Sequence, residues 1–121
     1  MKFYVCPICG NVIELIDGNE KNIKCCGRNM ELLEANTKDA SLEKHVPSCK
    51  ISNGKVEVTV GDVLHPMVEE HYIMWIAIVK GNKIVRLNLK PTDEPKATFN
   101  YEENSTIYAY CNLHGLWKKE I

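Results

Sequence analysis

The sequence predicts an all-β chain in two parts, a small metal-stapled N-terminal module and an antiparallel β-sandwich of immunoglobulin-like type. Three observations carry this. Four of the six cysteines lie in CPICG and CCG, within the first 26 residues. From Lys50 onward, short runs of alternating, β-branched and aromatic residues recur between turn signals. No long amphipathic helix, internal repeat or low-complexity tract interrupts them. A chain of 121 residues has room for such a module and one domain of about 80–90 residues.

In the first segment, residues 1–36, strand-like runs alternate with Pro7, Gly10, Asp17-Gly18 and Gly27. It holds too few large apolar residues for a core of its own, so a bound metal must supply much of its folding energy. The polar stretch Asn36 to Ser41 reads as the connection to a second domain, residues 37–121. There Asn53-Gly54 precedes the alternating run KVEVTV (Lys55 to Val60), and HYIMWIAIV follows. Gly81-Asn82 then turns the chain into KIVRLNL, and KATFNY and STIYAYC have the same strand character. Strands at this spacing suit a sandwich whose end loops carry function.

Fifteen basic and 16 acidic residues leave a formal charge of -1, so no global field recruits nucleic acid or an anionic membrane. The longest apolar stretch, Ile73 to Val79, is too short to span a bilayer, and the start Met1-Lys2-Phe3 reaches Cys6 without a secretory apolar region. A soluble, cytoplasmic protein is expected. In that compartment the six cysteines are metal ligands or free thiols rather than disulfides.

Two constellations carry chemistry. Cys6, Cys9, Cys25 and Cys26 offer four thiolates, a set that suits tetrahedral zinc or a single iron. The adjacent pair Cys25-Cys26 cannot wrap an ion as a second Cys-x-x-Cys knuckle does, which is unusual for a zinc ribbon. Zinc here would be a staple; iron would also carry one electron. The second set comprises all four histidines, His45 in EKHVP, His65 in LHPM, His71 in EEHYI and His114 in CNLHG, together with Cys111. Each histidine has a turn or proline neighbour. Neutral imidazoles with one thiolate suit a redox iron better than a closed structural zinc.

These motifs, in this order, resemble the superoxide reductases of the desulfoferrodoxin, two-iron type, over essentially the whole chain. CPICG with CCG is similar to the desulforedoxin-like N-terminal module. EKHVP, HPM followed by His71, LKP and CNLHGLW are similar to the catalytic domain. The resemblance implies that His45, His65, His71 and His114 bind iron in a plane, with Cys111 as axial ligand and the opposite position open. It also implies that Glu43 and Lys44 form a mobile acidic and basic pair beside that position. The implied activity is one-electron reduction of superoxide to hydrogen peroxide at an Fe(II)/Fe(III) centre. Re-reduction would come from an external donor such as rubredoxin, with Fe or Zn in the four-cysteine site and a homodimeric assembly.

Two other classes remain open on sequence alone. One is a non-catalytic iron electron carrier, and the other a zinc-ribbon-type binding module. The remaining notable residues have plainer expectations. Cys49 is a small packed residue leading into the first strand of the second domain. Trp75 and Tyr72 pack in the sandwich, Tyr72 beside His71. Trp117 shields the ligand turn or fills the core, Met67 neighbours the iron pocket, and Asp93-Glu94 and Glu102-Glu103 are solvated loop surface.

Overall fold

The computed structural model describes residues 2–121. The chain forms two compact units, the first ending at Glu34 and the second running Ala35–Ile121.

The first unit is built from very short elements: β1 (Phe3–Val5), β2 (Val12–Glu14), a single 3-10 turn (Glu20–Asn22), β3 (Lys24–Cys25), β4 (Arg28–Asn29) and β5 (Glu31–Leu32). The strands pair as β2-β1-β5 and β3-β4. Its buried apolar cluster consists of Tyr4, Cys6 and Met30, flanked by Leu15, Ile23 and Cys25. Tyr4 also donates a 2.7 Å hydrogen bond to Glu20, which accepts from Lys2 as well. So few buried side chains cannot offset the conformational entropy of ordering some thirty residues.

The second unit begins with one helical turn, α1 (Leu42–His45), and continues with seven strands: β6 (Pro47–Ser52), β7 (Lys55–Val60), β8 (Ile73–Lys80), β9 (Lys83–Asn88), β10 (Lys96–Asn100), β11 (Thr106–Cys111) and β12 (Gly115–Glu120). They form a three-stranded sheet, β10-β7-β6, and a four-stranded sheet, β12-β11-β8-β9, with antiparallel pairing throughout. Alternation decides which face is buried. Val56, Val58 and Val60 of β7 are buried, as are Ala97 and Phe99 of β10 and Ile107, Ala109 and Cys111 of β11. Each fully buried Val or Ile side chain contributes roughly 1.5–3 kcal/mol. Strand β8 is buried at both parities: Ile76 and Ile78 join the core, whereas Trp75 stacks on Tyr110 with centroids 5.8 Å apart.

The turn chemistry matches its sequence signals. Asn53 and Gly54 both take positive φ, as the two-residue turn of the β6–β7 hairpin requires. Strands β6 and β12 carry weaker signals, because β6 opens on a proline and β12 ends in Lys-Lys-Glu. The stretch from Asn36 expected as a linker starts with an anchored residue. The Asn36 amide group spans Lys118, accepting from its N–H at 2.9 Å and donating to its carbonyl at 3.3 Å, while the Asn36 backbone N–H donates to Leu116 O. A polar composition reads as free connection, but here the polar side chain serves as a strand-edge partner.

Candidate metal centres

In the first unit the Sγ atoms of Cys6, Cys9, Cys25 and Cys26 all lie within 4.8 Å of one another. The CPICG loop aims the backbone N–H groups of Ile8 and Cys9 at Cys6 Sγ, both at 3.4 Å. Those donors favour the anion: the Cys9 N–H first, then that of Ile8, hold the Cys6 thiol down to about 6. Adjacent Cys25 and Cys26 face the same point because Cys26 adopts φ 54 in the turn between β3 and β4. That left-handed residue is how CCG replaces a second Cys-x-x-Cys knuckle. Hydrogen bonding to the neighbouring sulfurs, Cys9 foremost, pushes Cys26 up to about 12. Four thiolates this close need a cation to ionise together, so the residues fit a tetrathiolate metal.

The second centre lies at one end of the sandwich. His45 ends α1, which stops before Pro47; His65 follows β7; His71 precedes β8; Cys111 is the last residue of β11; and His114 sits in the turn before β12. That turn spans Asn112 to His114, and Gly115 closes it at φ 79, a conformation that side chains disfavour. A register shift between Tyr110 and Cys111 pairs Cys111 with Ile73, bending the sheet where these five residues gather.

The four imidazoles form a closed quadrilateral. Successive ring centroids, His45 to His65 to His71 to His114 and back to His45, are 4.7, 4.6, 5.0 and 4.8 Å apart, and the diagonal His45–His71 is 6.3 Å. Neighbouring rings stand edge-on at 77–89°, and the diagonal pair lies 29° from parallel. The ligand atoms of His45, His71, Cys111 and His114 are mutually within 4.8 Å, and His65 joins them with Nε2 3.2 Å from His45 Nε2.

Hydrogen bonds orient the rings. His45 Nδ1–H donates to Ser41 O and His65 Nδ1–H to Pro66 O, each at 2.7 Å, so both turn an Nε2 lone pair inward. His114 presents Nδ1 instead, 3.0 Å from His45 Nε2 and 3.9 Å from Cys111 Sγ. Among the described residues, His71 Nε2 is the buried side-chain nitrogen or oxygen left without a hydrogen-bond partner. Lone pairs converging at such distances repel one another unless a cation lies between them, so the donor set fits a bound metal ion.

Burial keeps the imidazoles of His45, His65 and His71 neutral, the form that ligates. Desolvation pushes His45 and His71 below the ordinary histidine range and His65 down to about 4, with the other rings adding to the effect. Burial pushes the Cys111 thiol up, while backbone N–H groups of His114 and Leu113 partly offset it. Cys111 is fully buried within the core cluster. Trp117, also fully buried, stacks on His45 at 5.0 Å and donates its indole N–H to His114 O at 3.0 Å, so it both fills the core and braces two of the histidines.

Glu43 and Lys44 are exposed on α1. The Lys44 charge reaches the ring of imidazoles, opposing protonation of both His45 and His71. Cys49 stands apart from the centre, half-buried in β6 against the core, where burial pushes its thiol up. Met67 also packs on the core and accepts the Ile73 N–H at 3.4 Å.

Gly61 carries no chemical signal in the sequence, yet it positions α1. A Cβ there would lie 2.6 Å from Glu43 O, 2.9 Å from Val46 O and 3.0 Å from Lys44 C, all backbone atoms. Gly61→Ala is therefore expected to displace α1, lowering unfolding free energy by about 1–3 kcal/mol and weakening metal uptake at the histidine centre. Denaturant unfolding and a metal titration check both effects; an alanine variant unchanged in both would show that α1 yields freely.

Comparison with known proteins agrees with this geometry. The family profile described as Desulfoferrodoxin matches residues 37–120. The chain belongs to the desulfoferrodoxin family. The family binds iron, and its members are oxidoreductases of the superoxide reductase type. A desulfoferrodoxin homolog of Archaeoglobus fulgidus is 44% identical over 119 residues, covering 98% of this chain and 95% of that protein. A superoxide reductase of Pyrococcus abyssi is 35% identical over 99 residues, covering 65% of this chain and 86% of the relative. The crystal structure of the superoxide reductase from Treponema pallidum superposes with a TM-score of 0.76 at 29% identity, over 98% of this chain and 97% of that one. As expected from sequence, the chain is nearly all β. Among the described residues, no helix is long and apolar enough to cross a membrane.

Proposed function

We propose that the protein is a superoxide reductase, catalysing O2•− + e− + 2 H+ → H2O2. The observation that carries this is the quadrilateral of imidazoles beside the buried thiol of Cys111, with the His71 Nε2 lone pair unsatisfied. His45, His65, His71, His114 and Cys111 would hold iron, and the bound metal would supply the one-electron chemistry through its Fe(II)/Fe(III) couple. Residues 37–121 are the catalytic domain, and residues 1–36 a desulforedoxin-like module whose Cys6, Cys9, Cys25 and Cys26 hold Fe or Zn. An external donor of rubredoxin type restores the electron, and the chain works in the cytoplasm as a homodimer.

The chain's own residues shape the reaction in three ways. Burial holds His45, His65 and His71 neutral, leaving the Cys111 thiolate as the anionic member of the donor set. The N–H groups of Leu113 and His114 donate to the Cys111 sulfur and temper its electron donation. Lys44 adds a positive charge at the ring, drawing a small anion to a protein whose overall charge is -1. Glu43, one residue away and exposed on α1, is the carboxylate available to approach the centre between turnovers.

Mixing the iron-loaded, reduced protein with a superoxide pulse tests the proposal. A reductase yields one peroxide per superoxide and no dioxygen. Half that yield with dioxygen released indicates dismutation, and an inert histidine centre removes the enzymatic reading. Lys44→Ala is expected to slow superoxide capture about 10-fold at low ionic strength and to flatten its salt dependence. Rapid-mixing rates at several salt concentrations check this, and an unchanged low-salt rate excludes steering by Lys44.

A further inference from the structure

Most ligands of the histidine centre have a visible brace. Ser41 O holds the His45 ring, Pro66 O holds that of His65, and the Trp117 indole holds the His114 carbonyl. His71 differs: among the described residues its buried Nε2 has no hydrogen-bond partner. Its placement has to come from the backbone on either side. A cross-strand bridge to Val68 supplies one restraint, with hydrogen bonds of 3.0 and 3.1 Å.

Asn112 supplies the other. Its Oδ1 accepts from Tyr72 N–H at 2.9 Å, its Nδ2 donates to Glu70 O at 3.0 Å, and its backbone N–H donates to Tyr72 O at 3.3 Å. One side chain thus grips the residues immediately before and after His71. Asn112 itself lies in the turn that carries Cys111 and His114. The carboxamide therefore ties one ligand's backbone directly to the turn bearing two others.

We propose that Asn112 is a positioning residue that sets His71 against Cys111 and His114. The proposal rests on the reading that the imidazole ring binds a metal. Alanine removes both side-chain bonds. Aspartate is nearly isosteric and keeps the acceptor for Tyr72 N–H, but it turns an oxygen toward Glu70 O in place of the donor.

Co2+ added to the full chain provides the probe, followed by paramagnetically shifted imidazole resonances, which the four-cysteine site cannot produce. Asn112→Ala is expected to weaken Co2+ binding at the histidine centre about 10–100-fold, with Asn112→Asp intermediate. Because Asn112 acts through His71, the same alanine substitution made in a His71→Ala background should change affinity less than about 3-fold. Losses that simply add across this double-mutant cycle would overturn the proposal. In metal-free protein, Tyr72 N–H exchange should quicken in Asn112→Ala and stay slow in Asn112→Asp; equally slow exchange in Asn112→Ala would also overturn it. Absence of shifted imidazole signals from the wild-type protein would refute metal binding itself, and the role of Asn112 with it. That outcome is distinct from additive losses in a protein that does bind.

Discussion

Cys111→Ser is expected to abolish the thiolate-to-iron absorption of the histidine centre. It should also lower superoxide reduction by more than the roughly 10–100-fold that loss of an outer-shell partner costs. Cys111 is buried at the end of β11, inside the core cluster, and is placed by the β11–β12 turn rather than by solvent-exposed chain. A serine oxygen there is shorter, harder and not ionised at neutral pH, so it replaces neither the reach nor the electron donation of sulfur. Proton release gives a second measurement. Burial holds the Cys111 thiol above its ordinary value, so it is protonated near pH 7, whereas His45, His65 and His71 are already neutral there. Metal uptake should thus expel the Cys111 proton, and a weakly buffered titration of the Ser variant should release one proton fewer per ion bound. Equal release from both proteins would show that the thiol is not a ligand.

The second large effect concerns the first unit. Stripping metal from Cys6, Cys9, Cys25 and Cys26 is expected to unfold it while the sandwich persists. Strands of two or three residues around Tyr4, Cys6 and Met30 offer little burial. Structural sites of this kind contribute on the order of 10 kcal/mol of binding free energy near neutral pH. Amide exchange followed residue by residue through chelation makes the comparison. Protection should vanish for β1 and β2 and survive in β7, β8 and β11. Retained protection in β1 would mean that the apolar cluster suffices without an ion.

The legible parts of the molecule were those that local pattern encodes. Alternation in KVEVTV and STIYAYC exposed strands β7 and β11, and Asn53-Gly54 marked the β6–β7 hairpin. The spacings within CPICG, CCG and CNLHG, and the prolines beside His45 and His65, singled out the residues that the fold gathers. Asn112 and Gly61 escaped notice for a common reason. Asn112 acts on residues 40 and 42 positions away, and Gly61 matters because another backbone passes within 3 Å of where its Cβ would be. Neither relation leaves a periodic trace, since each joins segments far apart in sequence that meet only once neighbouring strands of one sheet have paired. Asn36 is a similar case, its partner lying 82 residues along the chain.

The distribution of the histidine-centre residues over the two sheets bears on how the protein matures. His45 and His65 flank β6 and β7 of one sheet, whereas His71, Cys111 and His114 belong to β8, β11 and β12 of the other. A nascent chain cannot offer the full ligand set until its C-terminal hairpin has docked, and the interior that docks it, Val56, Ile76, Ile107 and their neighbours, needs no ion. On the proposed reading, metal acquisition at this centre would follow folding, so that a lost ion could be replaced by simple reloading. The N-terminal unit would instead capture its metal in the act of folding.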